Sequence, residues 1–201
     1  MKVIAKIATL LFHPVFIPTM ITGCYYFFNA SFYAEFERYV AVGQVFLMTF
    51  LLPVSIYFFL KSVGMLRSSI MVESVKERNV PMFLNIVIML ILVFRVWESA
   101  SNTALKQFFI GYAITYIILF SSVQFHKKYS VHVASLCSAL PLFIQPTATY
   151  FLPPLVILPI FLVLVGLVAS SRLYLNAHTN LEIVMGGIIG FFPTFIIFFL
   201  Y

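Results

Sequence analysis

Long apolar runs follow one another along the chain, and the breaks between them are short clusters of charge, proline and glycine. Read on that pattern, helices are expected near residues 4–28, 40–60, 81–97, 106–125, 131–148, 152–169 and 181–200. Spanning hydrocarbon takes roughly 20 mostly apolar residues per helix, so the chain is long enough for six or seven crossings. The region of the fifth and sixth runs is interrupted by Pro141, Pro146, Pro153, Pro154 and Pro159. The break between those two helices can therefore shift, or one of them can be kinked or re-entrant. The opening run holds His13, Pro14 and Pro18 and continues to Phe28 without a small-x-small cleavage site. It is expected to be a retained first helix, not a signal peptide. No long-period repeat, low-complexity segment or linker divides the chain, so residues 1–201 are expected to form a single domain: an all-α, polytopic membrane helix bundle.

Composition narrows the possibilities. Of the 201 residues, 63% are hydrophobic and only 9% charged, far from the roughly 45–50% and 25% of soluble domains. The two cysteines, Cys24 and Cys137, lie in apolar runs and make neither a disulfide framework nor a zinc pattern. All six acidic residues are glutamate. Without aspartate, the clustered-aspartate Mg²⁺ sites of phosphatidyltransferases and prenyl transferases cannot be built. The net charge of +6 points to anionic lipid head groups, because a membrane chain has no extended basic surface for nucleic acid.

The loops at 61–80, 126–130 and 170–180 are separated each time by two expected crossings, so all three should open on one face. With the N-terminus they carry Lys2, Lys6, Lys61, Arg67, Lys76, Arg78, Lys127, Lys128 and Arg172, against Arg38, Arg95 and Lys106 elsewhere. By the positive-inside rule that face is cytoplasmic, unless the cations are there for chemistry. The expected location is a bacterial inner membrane.

Chemistry concentrates in the same loops. Ser171, Arg172, His178 and Glu182 enter an otherwise apolar setting, where ionisable groups are costly and mark candidate sites. If the last helix starts near Thr179 or Asn180, Glu182 lies one turn beyond His178 and reaches back to its ring. A carboxylate on one ring nitrogen fixes the tautomer and leaves the other nitrogen as nucleophile. Arg172 offers a planar, permanently charged fork to a phosphate. A second segment brings Lys127, Lys128, Ser130 and His132 to the start of the fifth helix. There His132 can protonate a leaving oxygen and then activate water, and Ser130 can hold phosphate oxygens. A third segment brings Lys76 and Arg78 to the same surface just before Pro81. Other features have plainer readings. His13 fits a helix-kinking segment, His126 an interfacial position, Lys61 and Arg67 topology or lipid contact, and Gly186, Gly187 and Gly190 a close-packed helix face.

On these residues the chain resembles the type 2 phosphatidic acid phosphatases, which share a fold and site with vanadium haloperoxidases. The family's third signature, Ser-Arg-x₅-His-x₃-Asp, is met by Ser171, Arg172 and His178, with Glu182 in place of aspartate. The second, Pro-Ser-Gly-His, is met at Ser130 and His132, with Tyr129 and Val131 at the other two positions. The first, Lys-x₆-Arg-Pro, is met by Arg78; Met71 occupies its lysine position and the proline comes three residues late, at Pro81. The resemblance implies His178 as nucleophile, Glu182 as its orienting carboxylate and His132 as general acid. Arg172, Arg78 and Ser130 would bind phosphate, with Lys76 or Lys128 standing in for the missing lysine. It implies metal-independent hydrolysis of the phosphate monoester or pyrophosphate end of a membrane lipid. Phosphatidic acid, phosphatidylglycerol phosphate, an inositol lipid phosphate, lipid A and polyprenyl pyrophosphate all present that group. The alternative is a lipid-phosphate binding or transport protein that keeps the anion site without turnover.

Overall fold

The computed structural model describes residues 1–64, 79–96, 103–144 and 154–200. Among these residues the chain is all-helical. Ten α-helices follow in order: α1 Lys2–Leu11, α2 Ile17–Phe28, α3 Glu35–Phe46, α4 Leu52–Ser62, α5 Asn79–Ile91, α6 Thr103–Gln124, α7 Val131–Cys137, α8 Leu140–Ile144, α9 Pro154–Tyr174 and α10 Asn180–Leu200. Four stretches are long and apolar enough to cross a membrane: Glu35–Ser62, Thr103–Gln124, Ile157–Tyr174 and Asn180–Leu200. Two more, Pro81–Phe94 and Val131–Ile144, are apolar but shorter. The described residues thus provide four full-length crossings where six or seven were expected.

Proline accounts for most of the difference. The expected helix over 4–28 is broken at residues 12–16. Pro14 lacks an N–H and disfavours helical backbone at His13, while Pro18 sits in the first turn of α2, where it is tolerated. The resulting helices of 10 and 12 residues are about 15 and 18 Å long, short of the ~30 Å hydrocarbon core. The expected helix over 131–148 is likewise divided by a turn at residues 138–139. Pro141 has no N–H for the Cys137 carbonyl, and residues 145–148 lie outside the described residues. By contrast, Pro53 does not end its helix. A π-helical turn at Leu47–Leu51 joins α3 to α4, and the wider turn makes room for the ring ahead of it.

The centre of the bundle is α10 packed against α6 and α7, with α5 on α6, α1 on α9 and α2 on α3. Small residues set these approaches. A Cβ on Gly111 would stand 2.5 Å from Thr194 Cα; one on Gly186, 2.7 Å from the Ser130 carbonyl oxygen; one on Gly190 would collide with the Ala134 backbone. Thr115 Oγ1, on α6, lies 3.0 Å from the carbonyl of Gly111 in its own helix and 3.2 Å from that of Ile189 across the interface. The core beside this seam is aromatic: Phe108, Phe109 and Tyr112 are fully buried. Tyr112 also anchors the α1–α2 break, its hydroxyl donating to the Pro14 carbonyl at 3.0 Å and lying 3.1 Å from Ser135 Oγ. Large apolar side chains such as Phe27, Phe36, Val163 and Phe199 point outward, a surface suited to hydrocarbon.

Candidate functional site

Two local devices hold the segment from Arg172 to Glu182. The first closes α9, which runs past its expected end at 169. Asn176 takes the left-handed conformation at φ 52°. Its N–H bonds the Leu173 carbonyl at 2.9 Å and the Ala177 N–H bonds the Arg172 carbonyl at 3.0 Å, the two bonds of a Schellman motif. The second opens α10. Thr179 Oγ1 accepts the Glu182 N–H at 3.3 Å, and Glu182 Oε2 accepts the Thr179 N–H at 2.9 Å, a reciprocal capping box. His178 lies between the two, with backbone fixed on both sides.

The ring of His178 is then oriented by two acceptors. Nδ1 lies 3.2 Å from Glu182 Oε2 and 3.1 Å from the Lys128 carbonyl oxygen. A carbonyl can only accept, so the proton belongs on Nδ1 and the lone pair on Nε2. The His178 side chain is 1% exposed and that of Glu182 25%, so the carboxylate meets solvent on one side and a dry imidazole on the other. A further bond, Ser130 N–H to the Glu182 carbonyl at 3.1 Å, fastens the chain before α7 to the first turn of α10.

This arrangement separates two tasks of Glu182. In Glu182→Gln the amide oxygen can still accept the Thr179 N–H, and the Lys128 carbonyl still holds the proton on Nδ1. The fold and tautomer should persist while the carboxylate beside the ring is lost. The expected outcome is a thermal midpoint close to wild type, which a melting curve checks.

The remaining candidates are placed as follows. Ser130 is fully buried, and its hydroxyl has no hydrogen-bond partner among the described residues. His132, in the first turn of α7, and Arg172, in the last turn of α9, are both buried, at 8% exposed each. Lys127 is exposed and Lys128 half-buried. Lys128 contributes its carbonyl to His178, a role its side chain gave no reason to expect. Lys76 and Arg78 lie outside the described residues. Asn79, which follows Arg78, accepts a hydrogen bond from Gln124 Nε2 at 2.9 Å, so the start of α5 meets the end of α6. The starts of α5, α7 and α10 are thereby tied at one end of the bundle. His126 is exposed and takes the left-handed position that closes α6, with its N–H on the Val123 carbonyl and that of Lys127 on the Ser122 carbonyl.

One residue enters this region that its sequence setting did not single out. The rings of His13 and His132 meet nearly edge to face, centroids 5.1 Å apart at 87°. His13 lies in the break between α1 and α2, outside the four long apolar helices. Burial first, and the charge of Arg172 second, lower its pKa to about 4, so the ring is neutral near pH 7. Pro14 signals that the chain leaves the helix after His13, but nothing local indicates that the break faces α7.

Among the described residues no group of three or more His, Cys or Glu side chains is arranged to hold a metal ion. No family model, curated protein or solved structure matches the chain. Fold and site together define a chain whose described residues are all-helical, with helices long enough to cross a membrane, and which carries a buried histidine paired with a half-buried carboxylate, and a buried arginine.

Proposed function

We propose that this chain is a multi-pass membrane phosphatase acting on the phosphate monoester or pyrophosphate end of an amphipathic lipid. The observation that supports it most directly is the pair of acceptors on His178 Nδ1, Glu182 Oε2 and the Lys128 carbonyl, which leaves Nε2 with the lone pair. In the first step Nε2 attacks phosphorus, the bond from phosphorus to the lipid oxygen breaks, and His132 gives that oxygen a proton. In the second, His132 takes a proton from water, the water oxygen attacks phosphorus, and the P–N bond breaks to release inorganic phosphate. Arg172 and Arg78, with Lys76 or the Lys128 ammonium, offset charge on the phosphoryl oxygens, and the Ser130 hydroxyl donates to one of them. This assigns to side chains the charge neutralisation that Mg²⁺ supplies in kinases and ATPases. The cation-rich end, and with it the site, is assigned to the cytoplasmic face of a bacterial inner membrane on the charge asymmetry of the loops.

The test is phosphate release by the detergent-purified protein from a panel of lipid monophosphates and pyrophosphates in EDTA. Release that resists EDTA, and that vanadate inhibits in a separate EDTA-free assay, is expected. If no lipid in the panel yields phosphate while the protein still binds it, the chain is a lipid-phosphate binding or transport protein.

A further inference from the structure

The phosphatase reading leaves His13 without a task, yet its place is set by contacts with two other elements of the bundle. Its following residue, Pro14, is pinned by the fully buried Tyr112 hydroxyl, which also lies beside Ser135, one turn along α7 from His132. Its own Nδ1 faces the Val15 N–H at 3.5 Å, a long contact that turns the ring back over the break. The same tyrosine therefore touches the two elements that bring the His13 and His132 rings together, 5.1 Å apart and nearly perpendicular. Arg172, from a third element, is close enough to bias the charge state of His13. Helix-breaking alone needs only the proline; it gives no reason for an imidazole edge against a second imidazole.

We propose that His13 is a positioning residue that fixes the ring orientation of His132, so that this histidine faces the phosphoryl group carried by His178. The catalytic part of this proposal rests on the phosphatase reading above. A planar neighbour at right angles restricts rotation of the His132 ring, and an uncharged one does not repel it when it carries the proton for the leaving group. His13 itself transfers no proton and touches no substrate.

Two readouts test this. The first is the histidine-ring NMR signal of His132 in detergent, tractable because the chain has four histidines and each is assigned by substitution. His13→Ala is expected to shift and broaden the His132 signals, and His13→Phe, which keeps a planar ring, to return them towards wild type. The second is turnover, with His178→Ala as the control for the phosphatase reading. His13→Ala should lower kcat roughly 3- to 10-fold with KM unchanged, and His13→Phe should recover most of it. If His13→Ala does not fold, His13→Leu fills the volume without a ring and is read the same way. His132 signals unmoved by loss of the His13 ring overturn the proposal whatever the turnover. So does a His13→Phe protein as slow as the alanine one, because the ring would then not be what matters. A wild-type protein without phosphatase activity sinks the phosphatase reading instead, and the ring signals alone then decide whether His13 orients His132.

Discussion

His178→Ala should reduce lipid-phosphate hydrolysis to background, a loss of ~10⁴-fold or more in kcat, while the protein still folds, with a melting temperature lowered by the lost contacts to Glu182 and the Lys128 carbonyl. The size follows from the assigned role: without the nitrogen that attacks phosphorus there is no covalent intermediate, and what remains is binding and charge neutralisation. Preservation of the fold follows from where His178 stands. It precedes the N-cap of α10 and follows the Schellman closure of α9, and neither device uses its side chain for a backbone bond. The measurements are phosphate release and acid-labile ³²P-phosphate trapped on the protein. Wild type should show both and the mutant neither. A mutant that retains turnover would move the nucleophile elsewhere and undo the assignment of Glu182 with it.

Gly190→Ala should cost about 3 kcal/mol or more in stability, enough to lower the yield of folded protein in detergent sharply. The added methyl would collide with the Ala134 backbone, and α7 has no room to retreat, because Val133, Ala134 and Leu136 are all buried. Gly187, three residues earlier, is the control. A Cβ there would meet Cys137 Sγ at 3.6 Å, an ordinary contact, and alanine is about 1 kcal/mol the better helix former. Gly187→Ala should therefore melt at or above the wild-type temperature. Equal losses at both positions would mean that the α7–α10 approach is looser than these distances require.

How much could be read from the chain varies element by element. The expected helices over 106–125 and 181–200 agree with α6 and α10 to within three residues at each end, because unbroken apolar runs with polar ends carry their own boundaries. The run over 152–169 was expected to stop at Ser170, Ser171 and Arg172, yet α9 continues to Tyr174. Polarity marks where a helix leaves hydrocarbon; the helix itself ends where Asn176 turns left-handed. The break at Pro14 had all its causes in view, but its effect on the crossing count depends on how far each half extends. In the site, the proximity of His178 and Glu182 follows from their spacing together with a helix start near Thr179, where the capping box turns the carboxylate back towards the residue before the cap. The Lys128 carbonyl and His13 were not legible in the same way. A backbone oxygen has no residue type to announce it, and a contact between α1–α2 and α7 is set by packing across more than a hundred residues of chain.

The two turns that flank His178 also act as a ruler. The Arg172 carbonyl accepts the Ala177 N–H of the Schellman closure, and Glu182 locks the capping box, so the distance from guanidinium to imidazole is set by how many residues fit between one helix end and the next start. Chemistry in the interval is free to drift, provided that one position accepts a left-handed backbone, as Asn176 does. Length is not free: one residue more or fewer would shift the chain by up to about 3.8 Å between the two fixed ends and carry His178 away from the Lys128 carbonyl. The five residues between arginine and histidine are thus a measure of geometry.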